Sequence, residues 1–244
     1  NGGIIQGHEE GIISSTTAMA NMKAFHEAMK LAKKYPNLGV GVHLNIIDGE
    51  ALALKHSLGK DLAVKVIMGE VSRRSLEEEF RAQAAAVDKH VDITHFDTHQ
   101  HMGVFPHIRK AMINVAKEFN VKKLRLPAEK GVVLSAQLWK KCLIDAFVPA
   151  TRRLYEKKGF KTTQEFYGLL HTGKFSVGVL ESFLKKMKGS AEIMVHPGKE
   201  SSYSPLKGDF LVSSKHKELA ALVSPKAKAL LKKYKVELVS YKDL

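Results

Sequence analysis

Thr94-His95-Phe96-Asp97-Thr98-His99-Gln100-His101 is the densest run of metal-ligand side-chain types in the chain. Within Asp92–Met102 it reads as a strand running into a loop. Successive side chains of an extended chain point to opposite faces, so His95, Asp97, His99 and His101 are expected on one face. Three imidazoles and a carboxylate make a costly face to bury with nothing to bind. Neutral imidazole and carboxylate are standard ligands for zinc and similar divalent ions, which makes the stretch a candidate metal site. The alternative is a solvated polar edge strand.

The flanking sequence sets this stretch in a repeating pattern. Upstream, Leu38-Gly-Val-Gly-Val-His43-Leu44 reads as a buried strand, preceded by helical spacing over Phe25–Tyr35 and, earlier, by a β-branched strand over Ile12–Met19. Ile4–His8 forms a helical turn that Gly11 closes. Residues 48–74 read as a long loop with a short helix. Ser75 with Glu78 is a capping box opening a helix to about Val87. Downstream, Pro106 opens a helix through Glu118, and Lys123–Leu126 is the next strand. Leu134–Tyr155 is helical with an interruption at Pro149, and Ser176–Lys188 is a further helix. Ala191–Val195 is a strand delivering His196-Pro197-Gly198 to a turn. Lys199–Ser213 is turn-rich, Lys215–Lys233 forms helices broken near Pro225, and Val236–Tyr241 is a final strand. Strands alternating with helices along the whole length indicate an α/β fold with a mostly parallel sheet. No linker splits the chain and no internal repeat is visible, so 1–244 reads as one domain.

In such folds ligands gather at the carboxyl ends of parallel strands. His43, the His99/His101 segment, Arg125 and His196 all fall at such ends. A lone histidine after an apolar strand is more often packed or solvent-facing than a ligand, but their common placement favours a site. The glycines before His43 allow a close approach of backbone and ligand. His8, His26, His56, His90, His107, His171 and His216 lack this context and read as surface or packing residues.

The 244 residues carry 39 Lys and Arg against 25 Asp and Glu, a net charge of +14. Charge alone favours a polyanionic partner. The lysines are, however, scattered over helices, as in Lys33-Lys34, Lys140-Lys141, Lys185-Lys186 and Lys232-Lys233, and no aromatic-studded basic strand resembles an RNA-binding sheet. A solvated basic surface is the better default, without nucleic acid and without membrane. No apolar run is long enough to span a bilayer. A single cysteine, Cys142, excludes an internal disulfide, and no secretory leader is visible, so a cytoplasmic location is expected. Cys142 reads as a helix-face residue and not as a nucleophile.

Gly41-Val42-His43-Leu44, the His-rich block at 94–101 and Glu192-Ile-Met-Val-His196-Pro-Gly198 resemble, in order, the signatures of the YdjC-like carbohydrate deacetylases. Ile12-Ile-Ser-Ser-Thr-Thr-Ala-Met-Ala-Asn21 and Phe166-Tyr-Gly-Leu169 resemble further segments of that family. The resemblance implies a distorted (β/α) TIM-barrel-like fold related to polysaccharide deacetylases, and removal of acetyl groups from N-acetylated amino sugars or oligosaccharides. It implies one divalent ion, Mg2+ or Zn2+, held by His43, His99 and an aspartate, and it is compatible with a homodimer. The family opens on a strand ending in Asn-Ala-Asp-Asp-Phe-Gly, whose aspartates supply the third ligand and the general base. The sequence starts after that point, so the first strand and these aspartates are expected upstream of Asn1.

Amide hydrolysis needs a nucleophilic water and an electrophilic carbonyl, and a divalent ion provides both. His196 is then expected to protonate the departing amine. Arg125, in Leu124-Arg-Leu-Pro127, resembles the arginine that orients the base in related deacetylases; a surface arginine at a strand end is the competing reading. Asp97 is expected to fix an imidazole tautomer. His95 and His101 either line the sugar pocket or flank the site. Two other functions fit the same residues: a metal-dependent phosphoesterase, and a non-catalytic basic protein that binds sugar or nucleic acid.

Overall fold

Gly39–Leu44 is the strand on which the first half of the molecule is built. A computed structural model describes residues 1–132, 134, 137–199 and 214–244, which divide into two compact units. One unit comprises residues 15–126 and 147–162, with Leu244; the other comprises 1–14, 127–146 and 163–243.

In the 15–126 unit, β1 (Ser15–Ala18), β2 (Gly39–Leu44) and β3 (Phe96–Thr98) form a parallel sheet in that order. The register sets Thr17 beside Gly41, and His43 beside Asp97. Beyond β3 the ladder continues through single bridges, Phe96 to Leu124 and Lys123 to Lys161. Parallel neighbours need crossovers, and helices supply them. Here they are α2 (Phe25–Lys34) between β1 and β2, and α3 (Lys60–Met68) and α4 (Arg73–Asp88) between β2 and β3. α5 (Pro106–Glu118) follows β3. Alternation along β2 sends Val40, Val42 and Leu44 to one face and Gly41 and His43 to the other. The first set is buried, as are Leu76, Phe80, Ala84 and Val87 of α4 and Ile108, Met112 and Val115 of α5. α4 packs on both β2 and α5, and Arg81 and Glu118 join the two helices through bonds of 2.6 and 2.8 Å.

The other unit is built on β4 (Glu165–Tyr167) and β5 (Ala191–Ile193), parallel with Phe166 beside Glu192. Its helices are α1 (Gly2–Glu9), α7 (Val177–Leu184), α8 (Lys215–Val223) and α9 (Pro225–Lys233). α6 (Leu138–Lys157) contributes residues to both units. α1 packs on α8, and a Cβ on Gly3 would lie 2.7 Å from the Cα of Gly198, so only glycine fits there. Gly168, at φ +113°, follows β4 and lets Met194 pass close by, 2.3 Å from where a Cβ would stand, with the Met194 N–H donating to the Tyr167 carbonyl at 2.8 Å.

Several elements differ from the sequence reading. β3 is only Phe96–Thr98, and His99–Val104 is a 3-10 turn in which Gln100 and His101 take φ of 52° and 61°. The Thr98 hydroxyl accepts the Gly103 N–H at 2.7 Å and closes that turn, so the strand cannot continue through His101. The cap of α4 is Ser72, whose hydroxyl accepts the Ser75 N–H; Glu78 pairs instead with Arg74. α6 runs through Pro149 without a break. Lys123–Leu126 forms bridges and not a regular strand. Val236–Tyr241 is no strand: Lys235 takes φ 53°, Leu238 and Val239 are exposed, and a turn around Ser240 and Asp243 ends the chain. Most of the turn-rich Lys199–Ser213 lies outside the described residues.

Candidate metal and active site

The polar face of the β1–β3 sheet brings Thr17, His43 and Asp97 together near the carboxyl ends of the strands. Register does this: His43 and Asp97 are lateral partners in a parallel sheet, so their side chains rise on the same face. The His43 Nδ1 lies 2.7 Å from the Asp97 Oδ1, with the Thr17 hydroxyl at 3.4 Å. Arg125 forms an ion pair with the second carboxylate oxygen, Oδ2. Asp97 is 2% exposed. Burial alone would raise its pKa, but Arg125 and then His43 outweigh it and hold the carboxyl well below the usual range. An ionised carboxylate only accepts hydrogen bonds, so the proton in this contact sits on the His43 Nδ1. In the neutral ring the lone pair is then on the His43 Nε2.

His99 is oriented from the opposite side. Its Nε2 lies 2.8 Å from the Oδ2 of Asp48, and its Nδ1 lies 3.3 Å from the His43 Nε2. The two rings meet edge to face with centroids 5.4 Å apart. With a carboxylate on each outer nitrogen, the facing nitrogens of two neutral rings would both present lone pairs. Such a pair is repulsive unless a proton or a metal ion lies between. Two nitrogens each about 2.1 Å from one tetrahedral ion stand about 3.4 Å apart, so the observed gap suits a shared cation. Among the described residues, no group of three or more His, Cys, Asp or Glu side chains is arranged to hold a metal. The fit therefore concerns the pair and not a complete coordination shell.

The remaining histidines of the block go elsewhere. His95 is 1% exposed, its Nδ1 lies 2.8 Å from the Thr94 hydroxyl, and burial lowers its pKa to about 3, against a smaller opposing pull from Asp97. Gly41 makes room for it: a Cβ there would lie 2.6 Å from the ring. The open backbone of β2 thus admits a neighbouring imidazole, where the sequence suggested a ligand. His101 is buried within the 3-10 turn. The expected single face of four ligand-type side chains is therefore not formed.

His196 belongs to the other unit, three residues past the end of β5. Its backbone N–H donates to the Glu218 Oε2 at 2.7 Å. Glu218 is 1% exposed; its pKa is raised by burial, against the N–H groups of His196, Phe175 and Gly173 that it accepts. Glu129 serves similarly after β4, accepting the N–H of Gly168 at 3.2 Å and of Leu170 at 3.0 Å.

Sequence reasoning missed Asp48, Asn45, Gln83 and Glu218. Asn45, placed directly after the strand residues His43-Leu44, carried the one available signal. Asparagine at a strand end commonly bonds the backbone two or three residues on, and Asn45 accepts the N–H of Ile47 and of Asp48 at 2.9 and 3.1 Å.

A carbohydrate deacetylase of Brevibacillus brevis is 27% identical over 263 residues, covering all of this chain and 93% of that protein. A chitooligosaccharide deacetylase of Salmonella paratyphi B is 28% identical over 205 residues, covering 81% of this chain and 75% of its own. A crystal structure of a candidate cellobiose-phosphate cleavage protein from Enterococcus faecalis superposes with a TM-score of 0.76 at 18% identity, covering 99% of this chain and 92% of that one. The fold is shared at that distance. The family model described as YdjC-like protein matches residues 1–233, which takes in His43, Asp97, His99, Arg125 and His196, and the chain belongs to the YdjC-like family.

Proposed function

We propose that the chain is a metal-dependent hydrolase that removes the N-acetyl group of an acetylated amino sugar or oligosaccharide. The relatives named carbohydrate and chitooligosaccharide deacetylases support the reaction class. The observation that carries the metal reading is the 3.3 Å approach of two imidazole nitrogens whose outer partners are both carboxylates. In this proposal residues 1–244 act as one deacetylase domain on a distorted (β/α) barrel, in the cytoplasm, with a sugar and not a nucleic acid as partner.

His43 and His99 would hold the ion, Mg2+ or Zn2+. When bound, such an ion acidifies a water and polarises the acetyl oxygen. Asp97 fixes the His43 ring in the tautomer that turns Nε2 outward, and Arg125 holds Asp97 ionised. His95 is kept neutral by burial and packs beneath β2. His196 is assigned the proton of the leaving amine; a side chain with a near-neutral ordinary pKa suits that transfer. The resemblance assigns a third ligand and the base to aspartates of the family's opening strand.

The test is metal content and acetate release by the full-length protein. His43→Ala and His99→Ala should each strip the ion. His196→Ala should keep it while turnover falls about 10²–10⁴-fold. Unchanged metal content in both His43 and His99 variants would remove the site. Release of inorganic phosphate from an ester, with no acetate from acetylated sugars, would make the chain a phosphoesterase.

A further inference from the structure

Asp48 sits in the loop after β2, yet both of its backbone groups and its carboxylate are held. The Asn45 side chain accepts the Asp48 N–H at 3.1 Å and donates to the Asp48 carbonyl at 2.6 Å. Asn21 donates to the same carbonyl at 2.7 Å. Asn45 is in turn held through its own backbone by Gln83 of α4, which accepts its N–H at 2.9 Å and donates to its carbonyl at 2.7 Å. Gln83 also donates to Glu79 at 2.8 Å, one turn earlier on the same helix. Glu79 accepts the N–H groups of Leu52, Ala53 and Leu54 at 2.7–3.1 Å. Asn45, Gln83 and Glu79 are all buried, at 1%, 0% and 0% exposure. A polar network this deep is costly unless every member is satisfied, and satisfied it fixes one geometry. What it fixes is the loop that aims Asp48 at the His99 Nε2.

We propose that Asp48 is a positioning residue that sets the tautomer of His99, with Asn45, Gln83 and Glu79 as the frame that aims it. The inference rests on reading His43 and His99 as the metal pair. By accepting from Nε2–H, the Asp48 carboxylate leaves the lone pair on Nδ1, the nitrogen facing His43. Asp97 does the same for His43 from inside the sheet, so the pair is set by one carboxylate from a strand and one from a loop. An exposed ion pair is ordinarily worth little, because long side chains must be ordered to make it. Asp48 is about one-third exposed, but its side chain is short and its backbone is already fixed, so little ordering remains.

The experiment is imidazole 15N NMR on the metal-free full-length protein, with Zn2+ titration as a second arm and a thermal midpoint as the folding control. Wild-type His99 should show the Nε2–H tautomer. Asp48→Ala should move His99 toward the mixture of a solvated imidazole and raise the Zn2+ dissociation constant about 10–100-fold. Asp48→Asn, whose amide oxygen still accepts, should fall between. Asn45→Ala, which keeps the carboxylate but releases its loop, should reproduce the shift in weaker form. A His99 tautomer unchanged in Asp48→Ala would overturn the proposal. Loss of Zn2+ without a tautomer change would overturn it too, by making Asp48 a ligand. If wild type takes up no Zn2+, the metal reading of His43 and His99 fails, while the tautomer shift in Asp48→Ala still decides the role of Asp48.

Discussion

His95 shows how one residue of a suggestive motif can serve the fold. It lies in the same eight-residue run as His99, but alternation and a neighbouring glycine place it under β2 with its pKa lowered to about 3 by burial. The consequence for stability has a definite sign. The unfolded chain takes up the proton near pH 6.5, whereas the folded protein resists it to about pH 3. The contribution of His95 to stability is therefore complete above pH 6.5 and falls as pH drops from there toward 3, by up to about 1.4 kcal/mol per pH unit. His95→Gln should flatten that part of the profile, measured as denaturation midpoint against pH. An unchanged slope would place the proton uptake elsewhere. At this scale the sequence was legible in residue type and silent on direction: nothing in Thr94–His101 distinguishes the imidazole that packs from the one that faces His43.

At the scale of the element, β2 and its two neighbours account for the site. The spacing Gly39-Val-Gly-Val-His43-Leu44 announced a buried strand, and the strand is there. The purpose of Gly41 was not legible, because it depends on what the adjacent strand places beside it. Gly41→Ala would set a methyl 2.6 Å from both the ring and the carbonyl oxygen of His95. It should cost about 1–3 kcal/mol in stability, the usual range for overpacking, and should widen the gap between His43 and Asp97. Chemical denaturation checks the first effect and the His43 15N shifts the second. The strand predicted through His101 failed for a similar reason. A threonine hydroxyl closing on Gly103 is a local choice that periodicity cannot register. Val236–Tyr241 had strand-like composition, but the backbone turns at Lys235 before it and at Ser240 within it, and α6 ran through Pro149 because a long helix can lose one backbone bond and continue.

For the molecule as a whole, alternating strands and helices made an α/β fold with parallel pairing readable from the start, and the division into two compact units was not visible. The boundary within α6 falls between Ala146 and Phe147, inside one helix, where no change of composition marks it. The charge of +14 has also found no single address. Many of its carriers are solvated lysines along helices, and a few are paired, as Lys185 and Lys233 are with Glu181. Among the described residues no helix is long and apolar enough to cross a membrane.

The three amides gathered by Glu79 bind the loop after β2 to the middle of α4. Opening that loop would take all three backbone donors from a fully buried carboxylate and leave it the Gln83 amide, at a cost of the order of several kcal/mol. The loop therefore cannot fray as surface loops commonly do; it must open together with the helix, as one cooperative unit. Native-state hydrogen exchange should show the amides of Leu52, Ala53 and Leu54 exchanging as slowly as those of α4 around Phe80. Exchange at the rate of a free loop would separate the two and leave the frame around Asp48 without its anchor.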